Sequence, residues 1–286
     1  MKVGATEGRL LPIRTGGPGT RALKTGGAAP PVAASAGEGL TEEKTSMVVG
    51  PAQPDLRTVR TPSGMEDAIS AVQQEITVEL ADTPELLREA YRLRYQVYCL
   101  ERGYKLEAEE LEIDEYDARA RHVVLCHRQS GEVVGTARLV LSSAENPQHS
   151  FPLQHVCSVP LEEYLPIGRT AEVSRFALPK QRQGISLASA SILRLALVQG
   201  LVRLSQELGL THWCAVMEPS LLRLLQRTAI HFEPLGPPVN YHGIRQPCYA
   251  AVGPILARMA RECPEVWAFV TGSGLWWSGT RELAAA

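Results

Sequence analysis

The order of the predicted strands and helices is the feature that most constrains the fold of this 286-residue chain. Residues 121–127 and 132–141 are rich in valine and leucine and flank a short Gly-containing turn, which predicts a β-hairpin. A third strand is predicted at 169–178, followed by a long amphipathic helix over about 185–208 and an apolar strand at 212–217. A hairpin followed by a strand–helix–strand unit predicts an α/β fold around one mixed central sheet flanked by helices.

Composition divides the chain into three predicted regions. Residues 1–62 are rich in Gly, Pro, Ala, Thr and Ser, and they contain too few large apolar side chains to offset the entropy of ordering them. We expect a disordered N-terminal tail there, whose basic lean leaves open a weak contact with an acidic partner. The main α/β domain is expected over 63–252 and a helical C-terminal extension over 253–286.

Charge and cysteine usage exclude several classes of protein. A net charge of −2 and a pI near 6.4 argue against a nucleic-acid partner. The six cysteines are scattered and the seven histidines do not fall at metal-ligand spacing, so neither a disulfide framework nor a metal site is indicated. No apolar run is long enough for a membrane span. We therefore expect a cytoplasmic protein without a transmembrane segment, while its oligomeric state stays open.

A helix predicted over 84–101 carries an unusual polar face. One line of apolar residues recurs at steps of four and three and is expected to be buried: Leu86, Ala90, Leu93, Val97 and Leu100. A neighbouring line contains Arg94 and Tyr98, at positions where a purely structural helix would carry ordinary polar surface residues. The loop after the helix holds three carboxylates, at Glu112, Asp114 and Asp117. A cation, aromatic rings and clustered carboxylates predict a polar small-molecule site.

Two predicted strands also carry charged residues. Arg138 lies on one face of the 132–141 strand, and it must be paired or lie in a wet cleft because an unpaired buried charge costs several kcal/mol. In a regular strand Glu172 and Ser174 share one face and Arg175 points away. A bulge in this strand would re-aim one of these side chains.

These residues fall into motifs that resemble those of the GCN5-related acyltransferase (GNAT) fold over roughly residues 74–252. Within that fold the chain looks like the autoinducer (acyl-homoserine lactone) synthases and N-acyl amino acid synthases, and in particular the PEP-CTERM/exosortase system-associated acyltransferases. The matched motif positions, in chain order, are Arg94, Tyr98 and Tyr104; Glu112, Asp114 and Asp117; Arg138; and Glu172, Ser174 and Arg175. Tyr98 and Tyr104 replace the Phe and Trp usual in autoinducer synthases, a departure that concerns the acceptor.

The resemblance implies acyl transfer from a thioester to an amine. The donor would be an acyl carrier protein or CoA thioester of a long-chain fatty acid, and the acceptor an amino acid or similar small amine, with no permanently bound cofactor. Two alternatives stay open. The chain could be a short-chain N-acetyltransferase that uses acetyl-CoA, or a catalytically inactive module that binds an acyl carrier.

The motif match also suggests a role for each residue of the Glu172 strand. Glu172 is the candidate base, acting directly or through water, with an ion-paired strand carboxylate as the alternative. Ser174 is expected to donate a hydrogen bond. Arg175 is placed in the catalytic set on the expectation that a bulge re-aims either it or Glu172, and without that bulge it would form a structural ion pair.

The remaining predicted residues bind substrates. Arg94 and Arg138 either hold the acceptor carboxylate or clamp the acidic loop, in which Asp114 and Asp117 could instead hold the acceptor ammonium. Tyr98 and Tyr104 are pocket wall or core. The turn after the Glu172 strand resembles a pyrophosphate-binding turn at a helix N-terminus, so the donor is expected to contact Lys180, Arg182, Gly184, Ile185 and Ser186.

Overall fold

The computed structural model describes residues 64–104, 106–180 and 190–277. The predicted N-terminal tail over 1–62 lies outside the described residues. So do four of the five residues predicted to contact the donor, namely Arg182, Gly184, Ile185 and Ser186.

Strands among the described residues form one mixed sheet. They are β1 Ile76–Leu80, β2 Ala120–His127, β3 Val133–Leu141, β4 Thr170–Ala177, β5 His212–Met217, β6 Glu233–Pro234, β7 Val239–Asn240 and β8 Ile244–Ala251. The sheet order is β1-β2-β3-β4-β5-β8-β6, with β7 paired to β8 beside this path. Neighbouring strands are antiparallel except β4 and β5, which run parallel. The predicted hairpin is β2–β3, and the predicted mixed α/β architecture is confirmed.

Helices flank this sheet. They are α1 Gly64–Glu75, α2 Pro84–Arg94, α3 Leu153–Val156, α4 Ala190–Glu207, α5 Pro219–Gln226, α6 Val252–Glu262 and α7 Pro264–Thr271. Thr83 caps α2 as predicted, since its hydroxyl accepts a hydrogen bond from the Leu86 N–H at 3.2 Å. None of the helices in the described ranges is both long and apolar enough to cross a membrane.

The main core lies between the sheet and α4. Gly200 allows the close approach of α4 to β2, because a Cβ there would lie 2.3 Å from Val123 Cγ1. Residues of α6 and α7 belong to the same core, among them Val252, Leu256, Met259, Val266 and Val270. The predicted C-terminal helices therefore pack against the body of the domain.

The helix after Pro84 does not continue as a regular α-helix to Glu101. It changes at Tyr95 to a π-helical segment that spans Tyr95–Glu101. The wider π turn breaks the 3.6-residue period, so Leu100 is 61% exposed. The prediction that Leu100 is buried was therefore wrong, whereas Ala90, Leu93 and Val97 are buried as predicted.

Strand β4 carries the bulge that was expected to re-aim one of its side chains. Thr136 pairs with Ala177 and Arg138 pairs with Ser174, so β4 has one more residue than β3 in this interval. Arg175 adopts the left-handed conformation with φ of 48°. The bulge is confirmed, and it re-aims Arg175 toward the acidic loop.

Strands β4 and β5 separate after a short contact. Thr170–Glu172 pairs with His212–Cys214, and no further pair joins the two described strands. The sheet therefore opens immediately after Glu172.

Candidate active site

A cavity of about 370 Å³ lies between the diverging ends of β4 and β5. Glu172, Ser174 and Arg175 contribute to its polar side. Its apolar side is formed by α4, β5, α5 and the segment that follows, through Val198, Leu201, Trp213, Met217, Leu221, Leu224, Leu225, Ile230 and Phe232. The volume is in the range of small-molecule sites, and the lining combines charged and other polar side chains with an apolar wall.

Glu172 is the buried carboxyl of this cavity. Its residue is 2% exposed, and its Oε2 accepts a hydrogen bond of 2.7 Å from the Leu153 N–H. Burial raises the pKa of Glu172 to about 7, against the opposing effects of that hydrogen bond and of the charge on Arg138. A carboxyl that titrates near neutral pH can accept and return a proton, which is what a general base requires.

Arg94 is paired to two carboxylates of the acidic loop. Its Nη1 and Nη2 donate to Asp117 Oδ1 and Oδ2 at 2.7 and 2.9 Å, a bidentate arrangement. Its Nε donates to Glu112 Oε2 at 2.6 Å. The Arg94 side chain is 0% exposed, so α2 is joined to the loop by a buried ion pair with Asp117 and a partly buried one with Glu112.

Arg138 and Arg175 complete the same network. Arg138 donates to Asp114 at 2.7 and 2.8 Å and to Asp117 at 2.6 Å, and its Nε donates to Ser174 Oγ at 3.0 Å. Arg175 donates to Glu112 at 2.8 Å and to Asp114 at 2.9 Å. The acidic loop thus ties α2, β3 and β4 together.

The charges of this network are balanced, with three arginines facing Glu112, Asp114 and Asp117. Burial alone would raise the pKa of Asp117, but the hydrogen bond and charge of Arg94, with the charge of Arg138, hold that pKa well below its usual range. Of the two alternatives for Arg94 and Arg138, the geometry favours a clamp on the loop over an open site for the acceptor.

His122 is a buried member of this region that the sequence analysis did not identify. Its Nε2 lies 3.5 Å from Asp117 Oδ1, and neither ring nitrogen makes a hydrogen bond. Burial, with the charge of Arg94, lowers the pKa of His122 to about 4, so the ring is neutral. His122 lies opposite Arg138 across the β2–β3 hairpin. This strand register, inferred from the predicted hairpin, is the feature that could have identified His122 from the sequence.

Tyr98 and Tyr104 both line the cavity. Their ring centroids lie 5.6 Å apart, and Tyr104 stacks on His242 at 4.2 Å. The Arg175 guanidinium carbon lies 5.5 Å from the centroid of the Tyr98 ring. The two tyrosines are therefore pocket wall, one of the two roles left open for them.

Lys180 lies shortly after the end of β4 and contacts the π-helical segment. Its N–H donates to Glu101 Oε2 at 3.0 Å, and its Nζ donates to the Glu101 carbonyl at 3.4 Å. Lys180 is not among the residues that line the cavity. Its predicted contact with the donor stays a prediction.

Arg102, Glu218 and Arg245 also line the cavity, although sequence reasoning did not single them out. Glu218 Oε1 lies 2.7 Å from Arg102 Nη1 and 3.1 Å from Arg245 Nη2. Arg102 follows the π-helical segment, Glu218 precedes α5, and Arg245 lies on β8. No sequence spacing connects them, because the fold alone brings these elements together.

Comparison with solved structures identifies the fold. The CoA-dependent acyl-homoserine lactone synthase BjaI, solved with MTA, superposes with a TM-score of 0.51 at 18% identity, covering 69% of this chain and 88% of that chain. The acyl-homoserine lactone synthase LasI gives 0.49 at 24% identity, covering 61% and 88% of the two chains. FeeM, an N-acyl amino acid synthase from uncultured soil microbes, gives 0.47 at 16% identity and covers 64% and 94%. The superposition on BjaI confirms the predicted GNAT-like fold.

A search of curated proteins found no match. The sequence does, however, match the model of one protein family. Residues 89–252 match the family described as N-acyl amino acid synthase FeeM, and this match covers more than half of the chain. It includes every predicted site residue from Arg94 to Ser186. This chain therefore belongs to the N-acyl amino acid synthase FeeM family of acyltransferases.

Proposed function

We propose that this protein transfers a long-chain fatty acyl group from an acyl carrier protein or CoA thioester to the amine of an amino acid or similar small acceptor. One observation carries the proposal. A single cavity joins a buried carboxyl whose pKa lies near neutrality, Glu172, to an extended apolar wall from α4, β5 and α5. The further likeness to PEP-CTERM/exosortase system-associated acyltransferases stays a prediction that rests on the sequence motifs.

The proposed reaction needs a base and a site for negative charge. The amine nitrogen attacks the thioester carbonyl carbon, and Glu172, directly or through water, accepts the proton that the nitrogen loses. The tetrahedral intermediate then collapses, the C–S bond breaks, and the proton returns to the departing thiolate. Because β4 is not paired with β5 beyond Glu172, backbone N–H groups in Val173–Phe176 that point away from β3 can donate to the carbonyl oxygen as it becomes negative.

The apolar wall favours a fatty acyl chain over an acetyl group. Each buried CH₂ contributes about 0.8 kcal/mol, so a long chain gains binding energy from the wall that an acetyl group cannot. The apolar lining of the cavity includes Leu221, Leu224 and Leu225 of α5 and Val198 and Leu201 of α4. We assign the acyl chain to this side and the reacting groups to the Glu172 side.

Direct assay of product formation tests the proposal. The purified protein would be incubated with acyl-CoA and acyl carrier protein donors from acetyl to palmitoyl, together with a panel of L-amino acids, and the products identified by mass spectrometry. We expect N-acyl amino acids from long-chain donors. Turnover of acetyl-CoA without any long-chain product would favour the short-chain alternative. No turnover with any donor, together with tight binding of acyl carrier protein, would favour the inactive module.

The pH dependence of the reaction should report Glu172. Because the base acts when ionised, we expect kcat to rise with pH through about 7 and then to level off as Glu172 loses its proton. The acceptor amine also titrates, but the pH at which it affects kcat changes with the pKa of the amine chosen. The pH profiles of kcat measured with amines of different basicity should therefore all show the same rise near pH 7. A profile in which every limb moves with the amine would contradict the assignment.

Narrowing the apolar side of the cavity should change which acyl chain lengths the protein accepts. Leu224→Trp replaces an aliphatic side chain of the cavity lining with a bulkier indole ring, and overpacking of this kind costs ~1–3 kcal/mol. We expect kcat/KM for the longest accepted acyl donor to fall roughly 10-fold or more while shorter donors are spared. Arg223→Trp, which changes an exposed residue of α5, is the matched control. Equal losses for all donors would argue that the chain lies elsewhere.

A further inference from the structure

An ion-pair triad on the cavity wall has no role in the acyl-transfer steps proposed above. It consists of Arg102, Glu218 and Arg245. The two guanidinium groups share one carboxylate oxygen, Glu218 Oε1, at 2.7 and 3.1 Å. Glu218 is itself oriented by the adjacent turn, since the Ser220 hydroxyl donates to its Oε2 at 3.3 Å. The triad is thus held at the start of α5.

The triad carries more positive than negative charge. Among the described residues, Glu218 is the one carboxylate in an ion pair with either Arg102 or Arg245. The buried network differs, because its three arginines face three carboxylates. One additional anion would therefore neutralise the net charge of the triad, whereas it would add an excess negative charge to the network around Asp117.

The triad is also accessible, unlike the buried network. The side chains of Arg102, Arg245 and Glu218 are 41%, 14% and 36% exposed, whereas those of Arg94 and Arg138 are 0% exposed. A small ligand can reach the guanidinium groups of the triad without breaking the fold. These groups present N–H donors in the fork geometry that matches a carboxylate.

An aromatic ring connects the triad to the reacting groups. The Tyr98 centroid lies 5.7 Å from the Arg102 guanidinium carbon and 5.5 Å from that of Arg175. Arg175 and Glu172 belong to the same stretch of β4 and line the same cavity. A ligand bound at the triad therefore lies in the compartment that contains the candidate base.

We propose that Arg102 and Arg245 bind the carboxylate of the amino-acid acceptor, with Glu218 holding the two side chains in position. This inference rests on the proposed function and narrows it to acceptors that carry a free carboxylate. An acceptor carboxylate bound there leaves its amine free to reach the thioester carbon, with Glu172 accepting the proton. The anion could instead be a phosphate of the donor, which the experiment distinguishes.

Kinetics with matched acceptors test the assignment. Wild-type protein and Arg245→Gln would be assayed with lauroyl-CoA and a panel of L-amino acids, each paired with its carboxamide. We expect the wild type to prefer the free acids, and Arg245→Gln to lose roughly 10- to 100-fold in kcat/KM for the acids while the carboxamides are little affected. KM for lauroyl-CoA should stay unchanged.

A binding measurement removes the dependence on turnover. Titration calorimetry with the matching N-lauroyl amino acids and their carboxamides should show that wild type binds the acids more tightly and that Arg245→Gln does not discriminate. Arg258→Gln, which removes a partly exposed arginine of α6 outside the cavity, should behave as wild type.

Three results would overturn the inference. One is an acid preference that Arg245→Gln leaves intact in both assays, while acylation itself persists. Another is a rise confined to the KM for lauroyl-CoA, which would assign the arginines to the donor phosphate. The third is a wild type that acylates no amine and binds no N-lauroyl product, which would remove the proposed function as well.

Discussion

Glu172→Gln should reduce kcat by ~100- to 10,000-fold while leaving the protein folded. The amide keeps the size of the side chain and can accept the hydrogen bond from the Leu153 N–H, but it cannot accept a proton from the amine. Steady-state kinetics with a long-chain donor would measure the loss. We expect KM for the donor to change little, because the apolar wall is untouched.

The same substitution should make the folded state more stable at alkaline pH. Burial raises the pKa of Glu172 from 4.5 to about 7, so ionising the carboxyl costs more in the folded than in the unfolded chain. The stability this group contributes is present below 4.5 and is lost as the pH rises through 7. Glu172→Gln removes this pH-dependent loss of stability. We therefore expect the free energy of unfolding of the variant to exceed that of the wild type by about 3 kcal/mol at pH 8 and by less than about 1 kcal/mol at pH 5. Denaturant unfolding at both pH values would measure it.

An exposed glutamate provides the control for both effects. Glu163→Gln changes a surface carboxylate in the connection between β3 and β4, and it should alter neither kcat nor the pH dependence of stability. A Glu172→Gln variant with nearly normal kcat would exclude Glu172 as the base. In that case the carboxyl would be a structural strand residue, the alternative considered from the sequence.

Asp117→Asn should destabilise the protein by ~3–5 kcal/mol, a large share of the stability of a typical domain. Asp117 pairs with Arg94 and Arg138, both 0% exposed, so its neutralisation leaves two buried cations with less compensation. Urea unfolding at neutral pH would measure the change. Glu89→Gln, which removes the exposed Arg92–Glu89 pair, should cost at most about 1 kcal/mol.

The Asp117 effect should depend on pH in the opposite sense to that of Glu172. The pKa of Asp117 is held below its usual 3.8 in the folded state, so its contribution is fully present above 3.8 and is lost as the pH falls through the lower folded value. The difference between wild type and Asp117→Asn should therefore narrow in acid. If the variant instead kept its stability and showed only a raised KM for the acceptor, Asp117 would bind the acceptor ammonium.

Local pattern was sufficient to predict much of the fold. The hairpin β2–β3, strand β4, the following helix and strand β5 all follow from apolar periodicity and from Gly and Pro positions, which are properties of neighbouring residues. The motif residues around Arg94, Asp114 and Glu172 were also found in the sequence, because each motif is a short run with fixed spacing. The same local rule failed at Leu100, where a π-helical segment changes the period.

The partners of the charged residues could not be predicted in this way. Arg175 reaches Glu112 through a bulge in β4, and Arg102, Glu218 and Arg245 meet although they lie on three distant segments. Folding likewise shifts the pKa values of Glu172 and Asp117 in opposite directions, because burial dominates at Glu172 whereas the arginine partners dominate at Asp117. The sequence by itself thus determined the strands, helices and candidate residues, because these depend on side chains close along the chain. The charge state and partner of each residue were decided by the tertiary structure, because desolvation and ion pairing depend on groups that only folding brings together.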